Sequence, residues 1–469
     1  MSNTSSIPLC VDLDGTLVKI DTLHQALFML LRRHPLTLFK LPSWLKKGKA
    51  HLKEEILKRV ELDPATLPYH QPLLKHLQTE KEAGRILILA TAANHRTAQA
   101  VSKHLNLFDA VFSSSATVNL RSTEKLNALQ KKYPSFDYAG NDAADFPLWN
   151  AARKIILVNP SPAAKKQYTK KADHIFEDRP PFLRSLLKAI RPQQWLKNLL
   201  LFSPLLLAHQ FLLPLLLKTF IAFFSFGFAA SSIYILNDLF DLSADQHHPR
   251  KQRRPFAAGN LSIPTGLLIL PVLIFLSFLL AYFLPPYFMG ILLFYYILTT
   301  LYSWRLKQLE IIDVLTLAVL YTLRIVAGGV ATNILVSNWF MIFAIFLFLS
   351  LALVKRIAEL REMEQAHILS RERAYTPADL PLLACFGATS GYLATLVFTM
   401  YLNSDRVAQL YSHPKLLWLF CPLLLYWVTR IWLLTWRGQM NDDPLAFAAR
   451  DFATYVVGGI GMALILLAT

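Results

Sequence analysis

At 469 residues the chain exceeds one ordinary domain, and with 54% hydrophobic residues and a mean hydropathy of +0.36 it is too apolar to be soluble along its whole length. Its formal charge of +17 is what basic cytoplasmic loops give a polytopic membrane protein, so it is not read as a nucleic-acid surface. Three cysteines, Cys10, Cys385 and Cys421, are an odd number without metal-ligand spacing, which argues against a disulfide framework.

The apolar residues are unevenly placed. Up to about residue 180 charged and apolar residues mix as in a soluble α/β domain, and MSNTSSIPL lacks the basic start and apolar stretch of an export signal, so this domain is expected in the cytoplasm. IPLCVDLDGTLV reads as a buried strand followed by Asp12, Asp14, Gly15 and Thr16, and strand alternation is expected to put Asp12 and Asp14 on one side. RILILATAANH carries a second strand to Thr91, STEKLNAL supplies Lys125, and YAGNDAADFPLW supplies Asn141, Asp142 and Asp145.

These four stations, in this order, resemble those of the haloacid dehalogenase-like phosphohydrolases, over residues 7 to 160 with a helical cap between about 21 and 80. The resemblance implies a Rossmann-like α/β fold, Asp12 as the nucleophile that forms an aspartyl phosphate, Asp14 as general acid and base, and Thr91 and Lys125 as phosphate stabilisers. It also implies Mg²⁺ between Asp12 and Asp14 and the acidic loop of Asn141, Asp142 and Asp145. Asn141 departs from the family pattern, which has Asp at that position most often.

A connector, residues 181 to 198, combines Leu, Trp195 and spaced cations and reads as an interfacial helix. From 199 to 469 the chain reads as an all-α polytopic membrane domain of about nine spans, near 199–216, 219–236, 264–284, 287–303, 313–331, 338–354, 380–402, 415–435 and 447–467. The loops between alternate spans hold most cations, among them Arg250, Lys251, Arg253 and Arg254, then Arg305 and Lys307, then Lys355, Arg356, Arg361, Arg371 and Arg373. That bias predicts an inner-membrane protein with those loops on the cytoplasmic side.

The second span ends in SIYILNDLFDLSADQHHPRKQRRPFAAGNLS. Asp238, Asp241 and Asp245 recur at i, i+3 and i+7 with Asn237 beside them, so all are expected on one helix face. Carboxylates at a membrane-helix end need water, one another or a cation, and as a group they read as a hard-cation site with Mg²⁺ favoured, while Lys251 and Arg254 neutralise phosphates.

Asn237-Asp238-x-x-Asp241-x-x-x-Asp245 followed by Pro249, Lys251, Arg254 and Pro255 resembles the first signature of the UbiA-type membrane prenyltransferases. It implies Mg²⁺ held against a diphosphate leaving group. The second Asp-rich motif of members that prenylate aromatic rings is absent, and LVKRIAELREMEQ puts Lys355, Arg356 and Glu359 in its place. With Tyr302, Lys307, Asp313 and Arg324, this resembles the branch that contains decaprenyl-phosphate phosphoribosyltransferase.

The implied substrates are phosphoribosyl pyrophosphate and a polyprenyl phosphate, and the soluble domain would remove the 5-phosphate from the lipid-linked product. More phosphates require more cations, and Lys251, Arg254, Lys307, Arg324, Lys355 and Arg356 supply them. Prenylation of an aromatic or quinone precursor is the competing reading, and a transporter is a third class.

Overall fold

The computed structural model describes residues 7–365, 375–440 and 444–469; Arg371 and Arg373 lie outside them. The chain forms two compact units, one of Met1–Arg191 with Tyr234–Pro271, the other of Pro192–Ile233 with Val272–Thr469.

In the first unit β1 (Leu9–Val11), β2 (Leu87–Asn94), β3 (Ala110–Ser114), β4 (Asp137–Gly140), β5 (Ile155–Val158) and β6 (His174–Phe176) make one sheet in the order β3-β2-β1-β4-β5-β6. Every pairing is parallel. Period-two alternation feeds two cores: Leu9, Val11, Leu87 and Leu89 pack on one face, and Cys10, Ile88 and Ala90 on the other. The order reverses at β1, and in such sheets the carboxyl ends of the strands at the reversal frame the ligand crevice.

Between β1 and β2 lie α1 (Thr22–Arg33), α2 (Leu41–Lys46), α3 (Lys49–Leu57) and α4 (Gln71–Glu82). Ala26, Leu30, Trp44, Ile56, Val60 and Leu62 form a small separate core under α1 to α3, whereas Leu73 and Leu77 of α4 join the core of the sheet. The inserted cap therefore has its own packing only as far as Leu62.

Among the described residues seven helices are long and apolar enough to cross a membrane: Leu213–Phe240, Ile263–Ala281, Pro286–Trp304, Ile312–Thr332, Asn338–Glu362, Pro377–Leu402 and Pro414–Trp436. Phe452–Ala468 is a shorter apolar helix. The expected span at 199–216 is not a helix of that length. Its residues divide into a 3-10 stretch, Pro192–Phe202, a short α-helix, Ser203–Leu207, and a break at His209, whose φ is +51°. Pro204 and Pro214 each sit where a helix begins, so an apolar run that hydropathy counts as one segment is cut in two by its backbone.

In the second unit Gly387 lies against the indole of Trp432, whose Nε1 donates to Ser350 Oγ at 3.0 Å, while Ser350 Oγ donates to the Gly387 carbonyl at 2.7 Å. A Cβ at position 387 would overlap that ring. Gly387→Val is expected to destabilise the bundle by about 1–3 kcal/mol, the cost of overpacking a filled core, read as a lower unfolding temperature in detergent.

Candidate active sites

The sheet register brings the soluble-domain motifs to one edge. Val11 pairs with Leu89 and with Ala139, so Asp12 after β1, Thr91 two residues beyond Leu89 on β2 and Asn141 after β4 emerge together. Strand alternation does not account for Asp14, because β1 stops at Val11. Asp14 lies in the following turn, where Gly15 has a φ of +76° and the Thr22 amide donates to Asp14 Oδ1 at 2.9 Å.

Asp12 is buried, and Lys125 Nζ donates to its Oδ1 at 2.8 Å. The same ammonium donates to Tyr138 Oη at 2.9 Å, and that hydroxyl donates to Asp145 Oδ1 at 2.9 Å. Asp145 Oδ2 accepts the amides of Asn141 at 3.0 Å and Asp142 at 3.3 Å. Asp145 thus shapes the 141–142 turn and orients Lys125 through Tyr138, a residue that sequence reasoning missed because it reads as an ordinary strand aromatic. Thr16 Oγ1 donates to Asn141 Oδ1 at 3.3 Å, Asp142 caps Ala143, and Thr91 Oγ1 accepts the Ala93 amide at 2.9 Å.

Burial, opposed by Lys125, pushes Asp12 up to about 6, and burial together with Asp21 pushes Asp14 up to about 7. Burial pulls Lys125 down, but Asp12 and Asp145 more than compensate and leave it above its ordinary value.

The acidic segment follows the membrane helix. Asp238 is in its last turn, Asp241 marks the junction, and Asp245 lies on the short helix Leu242–His247. The Asp241 amide still bonds to the Asn237 carbonyl at 2.8 Å and the Asp245 amide to the Asp241 carbonyl at 2.7 Å, so the helical register carries across the junction. Arg254 Nη1 donates to Asp238 Oδ1 at 3.2 Å and to Asp245 Oδ2 at 2.7 Å, and Arg191 donates to Asp238 Oδ1 as well. Asp241 meets Arg32 of the cap at 3.7 Å. Burial, opposed by Arg254, pushes Asp245 up to about 6. Lys251 lies on the adjoining 3-10 turn.

Among the described residues no three His, Cys, Asp or Glu side chains converge as a metal site on their own. The donors nevertheless fit a hard cation that shares its coordination with a phosphate. Asp238 Oδ2 is buried without a hydrogen-bond partner among the described residues, and the ligands at both sites are oxygens.

In the second unit Arg356 is fully buried and bonds Asp313, which also accepts the Tyr302 hydroxyl at 2.8 Å. Arg356 pairs with Glu359 too, and Lys355 stands 3.9 Å from Glu359. Arg324 donates to Asn198 Oδ1 at 3.1 Å, the Leu320 carbonyl at 2.6 Å and Tyr295 Oη at 3.0 Å. Arg324 and Arg356, both expected to meet phosphates, thus each spend donors on internal acceptors that would otherwise be orphaned. Lys307 lies on the 3-10 turn Leu306–Gln308.

Two outcomes follow. Asp12 and Asp14 have folded-state pKa values raised above the unfolded ones, so their contribution to stability is present below about pH 4 and is lost as pH rises through about 6 to 7. Metal-free protein should unfold at a lower temperature at pH 8 than at pH 5, and added Mg²⁺ should raise that temperature more at pH 8. Arg254→Ala leaves Asp238 and Asp245 without that cation and is expected to cost about 3–5 kcal/mol, as loss of one partner of a buried pair does; thermal unfolding of the two proteins measures it.

Residues 199–455 match the UbiA prenyltransferase family. The uncharacterized protein y4nM of Sinorhizobium fredii is 36% identical over 466 residues, 97% of this chain and 89% of that protein. The decaprenyl-phosphate phosphoribosyltransferase of Mycobacterium tuberculosis is 33% identical over 221 residues, 45% of this chain and 73% of that enzyme. A HAD family hydrolase structure from Salmonella enterica serovar Typhi is 15% identical, with a TM-score of 0.28, covering 37% of this chain and 68% of that one. With the family match spanning more than half of its length, behind an N-terminal domain built on a parallel α/β sheet, the chain belongs to the UbiA prenyltransferase family.

Proposed function

We propose that the membrane domain transfers 5-phosphoribose from phosphoribosyl pyrophosphate to a polyprenyl phosphate, and that the soluble domain removes the 5-phosphate from the product. The similarity to decaprenyl-phosphate phosphoribosyltransferases supports the choice of substrates. The observation that carries the reading is the clamp of Arg191 and Arg254 on Asp238, with Asp238 Oδ2 left open for a cation.

Mg²⁺ held by Asp238, Asp241 and Asp245, and in the soluble domain by Asp12, Asp14 and the 141–145 turn, supplies positive charge to phosphate oxygens. Arg254, exchanging its carboxylates for the leaving pyrophosphate, delivers a planar pair of donors to it, and Lys251 adds a point charge. Lys307 and Lys355 attend the remaining phosphates, with Arg356 fixing Asp313 and Glu359. The acceptor phosphate is already anionic, so attack on ribose C1 needs no strong general base. Apolar grooves between the spans hold the lipid tail, and both sites face the cytoplasm, in keeping with the basic loops.

In the soluble domain Asp12 attacks the 5-phosphate, Asp14 protonates the departing sugar oxygen and then activates water, and Lys125 and Thr91 hold the phosphoryl oxygens.

Purified protein incubated with labelled phosphoribosyl pyrophosphate, polyprenyl phosphate and Mg²⁺ should yield labelled lipid, whereas Asp238→Asn or Asp241→Asn should lower the yield by orders of magnitude. Asp12→Asn should accumulate lipid-linked 5-phosphoribose where the parent proceeds to lipid-linked ribose, a difference of one phosphate by mass spectrometry. Label entering lipid only from a polyprenyl diphosphate and an aromatic acceptor would replace this reading with prenyl transfer.

A further inference from the structure

The cap leaves one of its surfaces unaccounted for. From Thr22 to Lys53 the chain contains seven Lys or Arg and no Asp or Glu. In the middle of that stretch the 3-10 turn Pro35–Lys40 and α2 expose Leu36 by 75%, Phe39 by 79% and Leu45 by 50%. Residues three apart eclipse in a 3-10 turn, so Leu36 and Phe39 share one edge. These side chains are not an unfinished core. Trp44 turns inward to complete the core under the cap, and Arg59 covers its ring at 4.7 Å. Contiguous large apolar side chains rimmed by cations mark an interaction surface.

Three observations identify what covers it. The turn follows α1 by one residue, and the end of α1 is fastened to the end of a membrane-spanning helix: Arg32 donates to the Phe240 carbonyl, and the Phe28 and Phe240 rings are 5.9 Å apart. Leu and Phe set among Lys are the composition of segments that lie in the headgroup region, with aromatic and aliphatic groups below and ammonium groups at the phosphates. The missing carboxylates remove the repulsion that an anionic surface would otherwise meet.

We propose that the cap segment Pro35–Lys49 docks on the anionic face of the bilayer that the helices of this chain span. Leu36, Phe39 and Leu45 enter the boundary between headgroups and acyl chains, and Lys40, Lys46 and Lys47 rest on lipid phosphates. Docking holds α1, whose first amide bonds Asp14, at the membrane surface, where a lipid-linked phosphate would be met. The proposal depends on the chain being embedded in a membrane and not on which group is transferred.

The test uses the full chain with Cys10, Cys385 and Cys421 replaced by Ala and a single cysteine introduced by Phe39→Cys, or by Lys131→Cys at an exposed position of the sheet domain as control. Each protein carries a polarity-sensitive fluorophore and is reconstituted into phosphatidylcholine vesicles with or without phosphatidylglycerol. The label at 39 should be quenched several-fold more than the label at 131 by lipid bearing a nitroxide high on its acyl chain, and more strongly when phosphatidylglycerol is present. Lys46→Glu with Lys47→Glu should reduce that quenching while leaving thermal unfolding of the protein unchanged. Equal access of both labels to a water-soluble quencher overturns the proposal. So does a label at 39 that is shielded from water yet untouched by the lipid quencher, because its cover would then be protein.

Discussion

A carboxylate buried at the end of an apolar helix needs cationic partners beside it, and Asp238 has that position. Its neutralisation gathers three separate stretches of chain. Arg191 arrives from the end of the helix Phe182–Ile190, Arg254 from the loop beyond the acidic segment, and Asp245 joins through the second contact of Arg254. Arg191 takes a φ of +55° to end its helix, a conformation that a non-glycine residue adopts at a cost of about 1–3 kcal/mol. From there its guanidinium reaches Asp238 and stacks on Tyr234 at 5.3 Å.

The same constraint ties the acidic segment to the soluble domain. α1 begins with the amide that bonds Asp14 and ends with the arginine beside Asp241, and Gln25 on it makes a buried bond of 2.7 Å to Gln246. Twelve residues of helix extend roughly 18 Å, so the soluble acid and the junction aspartate are held about that far apart by one rigid rod. Any movement of α1 relative to the acidic segment has to carry or break the Gln25–Gln246 pair. A soluble enzyme joined by a flexible tether would show no such coupling.

Much of this was readable from residue order. DLDGT, Thr91 and the 141–145 turn gather on adjacent parallel strands because a parallel sheet puts such segments on one edge, and Lys125 reaches them from the helix Thr123–Gln130. The Asp238, Asp241 and Asp245 spacing survived the helix junction because its backbone bonds keep helical register. Tyr138 and Arg191 were not singled out as site residues, since their roles depend on partners 7 and 47 residues away. The break within the expected span at 199–216 has a different origin. Hydropathy sums side chains and is blind to two prolines and one left-handed residue that decide whether the backbone can continue.

Several of the cations counted in the sequence are held in internal pairs. Arg356 lies against Asp313 and Glu359, Lys355 near Glu359, and Arg254 against Asp238 and Asp245. Pairing does not remove these groups from the chemistry, but it changes what they can contribute. Ion pairs in a poorly solvated site are exchangeable: a carboxylate that gains a divalent cation no longer needs its arginine, and the arginine is then matched to a phosphate without any net charge being moved out of water. Arg254 can make that exchange because its partners are the carboxylates best placed for a cation. The acceptors of Arg324 are instead an amide, a backbone carbonyl and a phenol. The cations of this chain therefore divide by the chemistry of their acceptors. Those held by carboxylates have partners that a cation could take over, and those held by neutral groups do not.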